Sequence, residues 1–357
     1  MPKRSLRKFL LGFVGAFVIT LGISLFTATT AATNFYYSIT DLGTLGGSYS
    51  DANAINDAGQ VAGTSITSQN AQRAFLWQNS QMTELPTLGG INNIALDINN
   101  TAQIVGHSST PSGYNHAVLW SNNMINDLGS PVGGEHSYAY GINNSGQVLG
   151  SSNSRGIFLW QNGKITNLLS DISYPRAIND AGQVVGSSTS ISGTKHAVLW
   201  DNGTVTQLGT LGGKFSEAED INNKGQVIGN STTSTSDDGK LDSYGYHCFL
   251  WSGGTMTDIS PRLEDHKSIS CYARGINNNG KVVGTIVTGL GISSGGDSYP
   301  FVWHNGRLLG LNSLLPPNSG WKLTSAMDIN NKGQIVGSGI FNGQRKAFLL
   351  TPIRVTN

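Results

Sequence analysis

One pattern dominates this chain and restricts what it can fold into. Ile-Asn-(Asn/Asp)-x-Gly-Gln-(Val/Ile)-x-Gly occurs seven times, with its Ile at Ile55, Ile98, Ile142, Ile178, Ile221, Ile276 and Ile329. The intervals are 43, 44, 36, 43, 55 and 53 residues. The Asn after Ile and the closing Gly stand in every copy; the turn Gly gives way only to Ala102, and the Gln only to Lys281. A period of this size marks a repeat architecture, in which each unit buries its apolar face only by stacking on its neighbours.

A second apolar element follows each copy: "AFLW", "AVLW", "IFLW", "AVLW", "CFLW", "PFVW" and "AFLL". It places six of the seven Trp, at Trp77, Trp120, Trp160, Trp200, Trp251 and Trp303, with Leu350 in the last copy. A polar turn such as "QNGK" or "DNGT" leads to a third element such as "KITNLL" or "TVTQLG". Then "LGTLGG" or a relative leads through a Ser-x-Ala stretch to the next Ile. Short runs of β-branched and aromatic residues bounded by Asn, Gly and Asp read as strands, here four per unit, A to D. No segment after the N-terminal apolar run keeps helical periodicity. The predicted fold is all-β: a seven-bladed β-propeller of four-stranded antiparallel blades.

The ends of the repeat array agree. The seventh unit supplies strands A, B and C but no D, whereas "FYYSITDLG", Phe35 to Gly43, reads as a strand D with no A, B or C before it. The N-terminal strand is therefore expected to pair with the C-terminal strands, closing the ring and removing an exposed edge.

Ahead of it, Lys3, Arg4, Arg7 and Lys8 precede an uncharged apolar run from Phe9 to Phe26, with small residues at Ala28, Ala31 and Ala32. This reads as a secretory signal peptide, residues 1–32, cut near Ala32. The alternative is an uncleaved membrane anchor, since the run is nearly long enough to span. Residues 33–357 then form a single propeller domain, exported to the medium, the cell surface or the periplasm. Without the four N-terminal cations, 18 basic residues face 21 acidic ones, and a nucleic-acid partner, which would need a basic excess, is not expected. Two cysteines, Cys248 and Cys271, are too few for a disulfide scaffold. Two separate buried thiols are the simpler expectation, and a Cys248–Cys271 disulfide, permitted after export, is the alternative.

The recurring "HAVLW" (His116 to Trp120, His196 to Trp200) and "HCFLW" (His247 to Trp251), with the "INNxGQVVG"-type turns and "LGTLGG", resemble the HAF-repeat family of extracellular bacterial proteins. The resemblance runs from about Ser38 to Pro352 and departs from the pattern at Gly156, Tyr299, Lys346 and Leu350. It implies export and a repeat fold, and it brings no catalytic residue with it.

The repeated residues read as structure. "DINNKGQVIG", Asp220 to Gly229, has oxygen-bearing residues at Asp220 and Asn222, but Lys224 stands where a calcium loop needs a ligand and Ser231 where it needs a bidentate Glu. A tight A–B turn explains the run better, because Asn and Asp cap turns through their side chains and Gly accepts positive φ. The Trp series suits inter-blade packing better than sugar stacking. His116, His196 and His247 lack neighbours at metal-ligand spacing and read as hydrogen-bonded structural residues. No nucleophile elbow, zinc helix or phosphate loop is present, and no metal or cofactor is implied.

Antiparallel order puts the tight A–B and C–D turns on one face and the variable B–C and D–A connections on the other. Insertions collected on one face mark the binding side of a repeat fold. The candidate ligand-binding residues there are Tyr49, His136, Phe215 and Trp321, with Asp237, Asp238, Asp242, Glu264 and Asp265 in the insertions. The expected function is a non-enzymatic binding or surface-interaction scaffold for an extracellular glycan or protein, with a membrane contact only if the apolar segment is retained. The alternative is a carbohydrate-active hydrolase or lyase using the acids of the long-loop face.

Overall fold

The structure is a computed structural model, and it describes residues 36–131, 134–153, 156–168, 172–190, 193–233, 245–261, 269–288 and 296–353. The proposed signal segment lies outside the described residues. Among the described residues twenty-eight strands form seven antiparallel four-stranded sheets, which is the seven-bladed propeller the repeat predicts. Blade 1 comprises β2 (Gly46–Ile55), β3 (Val61–Thr67), β4 (Gln72–Gln78) and β5 (Gln81–Glu84) in sequence order. Blades 2 to 6 repeat that order, and the A strands touch one another all around the ring as its innermost elements.

Blade 7 is closed by the N-terminal strand. β1 (Tyr36–Asp41) pairs antiparallel with β28 (Gln344–Ile353), in register from Tyr36 opposite Ile353 to Asp41 opposite Phe348. Lys346 reinforces the seam by pairing with Asp41 at 2.7 Å. The described strand is shorter than the Phe35 to Gly43 expected, because Gly43 takes a positive φ of 78° and turns the chain toward blade 1.

The short turns follow from their residues. The C–D hairpins place two successive residues at positive φ, such as Asn162 and Gly163 or Asn202 and Gly203, the geometry that matches the twist of the flanking strands. Each blade interface is filled by a fully buried side chain two residues before the Trp position, as at Phe75, Phe158, Phe249, Phe301 and Phe348. The Trp series is less deeply placed than expected. Trp120 is fully buried and bonds the Pro86 carbonyl through Nε1, but Trp160, Trp200, Trp251 and Trp303 are half-buried against the edges of the core clusters.

The two cysteines correct an expectation. They form a disulfide, with Cα atoms 5.2 Å apart, joining strand C of blade 5 to strand A of blade 6. At other junctions the same two positions are a serine and an alanine joined by a hydrogen bond: Ala117 N donates to Ser137 Oγ, Ala197 N to Ser216 Oγ, and Ala347 N to Ser50 Oγ. Here a covalent bond takes the place of that contact.

Candidate functional site

The seven Ile-Asn turns meet at the axis and build more than hairpins. The Asn after each Ile is almost fully buried, and in six of the seven copies it bonds the Gln four residues on as well as the backbone, Lys281 taking the place of that Gln after Asn277. In blade 1, Asn56 Oδ1 accepts from Ala58 N and Gln60 N, while Nδ2 donates to Gln60 Oε1 and to the Asn99 carbonyl of the next blade. That last bond recurs from blade to blade at 2.9–3.2 Å until Asn330 returns to the Asn56 carbonyl, closing a seven-membered ring. The following residues form a second ring: the N–H of each donates to the side-chain oxygen of its counterpart at 2.8–2.9 Å, from Asp57 round to Asn331 and back. The motif is thus the fastener of the propeller at its axis.

Three carboxylates, Asp97, Asp220 and Asp328, stand just before the Ile in blades 2, 5 and 7. Each accepts the N–H of its own Ile and that of the next blade, as Asp97 does from Ile98 and Ile142. Burial raises all three above the ordinary carboxylate range, Asp328 to about 7, with mutual repulsion reinforcing the shift at Asp220 and Asp328. Asp97 and Asp220 line a polar cavity of about 170 Å³ on the tight-turn face. Among the described residues no three His, Cys, Asp or Glu side chains are arranged to hold a metal ion.

Toward the opposite face the inner strands carry residues that do not repeat. In every blade the A–B ladder slips two residues before the Ile, leaving a β-bulge, and in blades 1, 5 and 7 it slips a second time earlier in strand A. A bulge releases its residue from the ladder and re-aims the side chain. The seven bulged residues are Asn53, Leu96, Tyr140, Arg176, Glu219, Arg274 and Met327. In blades 4, 5 and 6 they form a charged row. Glu219 Oε2 lies 3.7 Å from Arg176 Nε and 3.4 Å from Arg274 Nη1, and Asn230 Nδ2 donates to Oε1 at 3.2 Å. Glu219 is 9% exposed at its side chain, and burial raises its pKa against the pull of the two guanidiniums. Two residues earlier on the same strands stand Tyr174, Glu217 and Tyr272; Lys195 bonds Glu217 at 2.8 Å and lies 4.2 Å above the Tyr174 ring.

The predicted site residues fare unevenly. Tyr49, His136 and Phe215 occupy one equivalent position, six before the Ile, in blades 1, 3 and 5; these blades are not adjacent, so the three are not brought together. Tyr49 and Phe215 lie within the A strands rather than in loops, and His136 directly precedes one. His136 Nδ1 accepts from Asn115 N and its ring meets Tyr114 edge-on. Trp321 opens strand A of blade 7 and stacks on Phe341 at 4.9 Å, so it serves its own blade. Asp237, Asp238, Asp242, Glu264 and Asp265 lie outside the described residues. His116 and His247 are structural, their Nδ1 atoms bonded to Asp127 and Asp258 on strand D. Sequence reading missed the bulged row. Its signal was a break in alternation: in blade 5 the buried residues step from Ser216 to Ala218, then three places to Ile221.

No family model matches this sequence, and no curated protein does. Solved structures resemble it in fold. The β-propeller domain of the Trilobed protease from Pyrococcus furiosus has a TM-score of 0.55 at 9% identity, over 90% of this chain and 98% of that one. That domain is described as having an open velcro topology, whereas here β1 closes the last blade. A puromycin-hydrolyzing peptidase from Mycobacterium tuberculosis gives 0.49 at 10% identity, covering 81% of this chain and 48% of its own. TolB from Acinetobacter baumannii gives 0.41 at 13%, covering 83% and 81%. At these identities the likeness is one of fold: this chain is a seven-bladed β-propeller.

Proposed function

We propose that the protein is an exported propeller of the HAF-repeat type that binds an extracellular ligand on its long-loop side without transforming it. The observation that carries this reading is the contrast along strand A. Positions that hold the ring together repeat in all blades, whereas the bulged positions vary around the ring and place Arg, Glu and Arg in blades 4 to 6, with Tyr174 and Tyr272 two residues earlier on the flanking strands. A frame does not require such a cluster, and a recognition surface does. The Cys248–Cys271 disulfide suits an oxidising compartment and so supports export.

A glycan array and a hydrolase screen on the purified mature protein test the reading. Saturable binding without product formation is the expected result. Turnover that disappears on Asp242→Ala or Glu264→Ala would instead establish the carbohydrate-active enzyme and refute the scaffold.

A further inference from the structure

The row formed by Arg176, Glu219 and Arg274 has the chemistry to choose a ligand. Both guanidiniums approach a single oxygen of Glu219, at distances longer than a good charge-assisted hydrogen bond. Arg176 makes no hydrogen bond among the described residues, and Arg274 makes one, at 3.4 Å. Their side chains are 43% and 36% exposed, so planar forks of N–H donors remain open to an incoming group. Lys195 and Glu217 neutralise each other nearby, which leaves the row with two cations against one anion. Tyrosine rings flank it: Tyr174 is 52% exposed, and Tyr272 lies beneath Arg274 and beside Tyr246. Exposed guanidinium forks match carboxylate or sulfate oxygens, and flat tyrosine faces accept the C–H face of a sugar ring.

Resting on the binding role proposed above, we infer that this row holds a negatively charged saccharide, with its anionic group on Arg176 and Arg274 and a ring against Tyr174 or Tyr272. Glu219 competes with the ligand for the guanidiniums while keeping them in place. An acidic peptide would also find the cations, but it gains most of its affinity from apolar anchors seated in pockets, and this row presents tyrosine and charge instead.

Calorimetric titration of the full mature protein with oligogalacturonate, a sulfated oligosaccharide, a neutral cello-oligosaccharide and poly-glutamate tests the inference. The expected result is binding of one or both acidic saccharides, weakening with salt, with no comparable binding of the other two probes. The first two arms tell carboxylate from sulfate. The Arg176→Ala/Arg274→Ala double variant should lose roughly tenfold or more in affinity, and Glu219→Gln should gain a few-fold. The Arg176→Lys/Arg274→Lys variant retains the charge and serves if the alanine protein melts early; it should still lose affinity because the fork is gone. Equal binding of poly-glutamate, or no binding of either acidic saccharide, overturns the inference. Neutral-sugar binding that survives the arginine variants but fails on Tyr174→Ala refutes the anionic class and leaves the binding role intact. Binding indifferent to every variant refutes the row as the site and leaves the binding role intact.

Discussion

Asn143→Ala should destabilise this protein far more than an average polar substitution. The Asn143 side chain donates to Gln147 Oε1 at 2.7 Å and to the Asn179 carbonyl at 3.0 Å, and accepts from Ser145 N at 3.1 Å and Gln147 N at 2.9 Å. It is 3% exposed, so water cannot take over these partners. At about 1 kcal/mol net for each of the bonds lost, the cost is roughly 4 kcal/mol. That is a large part of a total stability of about 5–15 kcal/mol. The neighbouring Asn144 is the control. It also bonds between blades, accepting from Asn100 N and donating to Asp180 Oδ2, but from an exposed position where water replaces what is lost, so Asn144→Ala should cost under about 1 kcal/mol. Urea unfolding followed by Trp fluorescence gives both values from midpoint and slope. Equal destabilisation by the two variants would refute the claim that the buried ring fastens the propeller.

Removing residues 36–41 leaves blade 7 with an unpaired edge and breaks the Lys346–Asp41 pair, so its melting temperature should fall sharply; a truncated protein as stable as the intact one contradicts closure. The disulfide closes a loop across a sequence separation of 23, which corresponds to about 3 kcal/mol, and Cys271→Ser should show that loss. Its hydroxyl does not recreate the serine contact of the other junctions, because Cys248 N already donates to Ser260 Oγ, so Cys271→Ala should melt close to Cys271→Ser. Asp328, held near 7 by burial, favours the folded state when protonated. That contribution is complete below the ordinary value of 3.8 and is lost as pH rises through about 7. His107, pushed down to about 4 by burial, acts in the opposite sense. The difference between wild type and Asp328→Asn isolates the carboxyl: the advantage of the variant should grow from pH 4 to pH 8, and an advantage independent of pH would contradict it.

Much of the fold was readable because propeller blades are local objects. The period, the four-strand unit and the missing last D strand each leave a mark in the order of residues, and the ring closure followed from them. What lay between blades was not readable. The Ile-Asn-Asn run looks like a complete hairpin turn on its own, and nothing in one copy shows that its Asn reaches the carbonyl of the next blade. Cys248 and Cys271 fall in elements whose contact is visible only once Ser216 and Ala197 are seen to touch at the equivalent junction. The bulge was encoded as the three-residue step before Ile221, yet a strand read as strictly alternating hides it. Attention to loops therefore favoured Trp321, which packs on Phe341, over Arg176 and Arg274, which stand within strands.

The repeated residues hold the ring, and the charged bulged side chains of blades 4 to 6 are the proposed ligand contacts. A crystal structure of the mature protein with the tightest-binding saccharide tests this assignment most directly. Ligand density is expected against Arg176, Glu219 and Arg274; density confined to the axial cavity of the tight-turn face or to the outer strands would contradict that assignment.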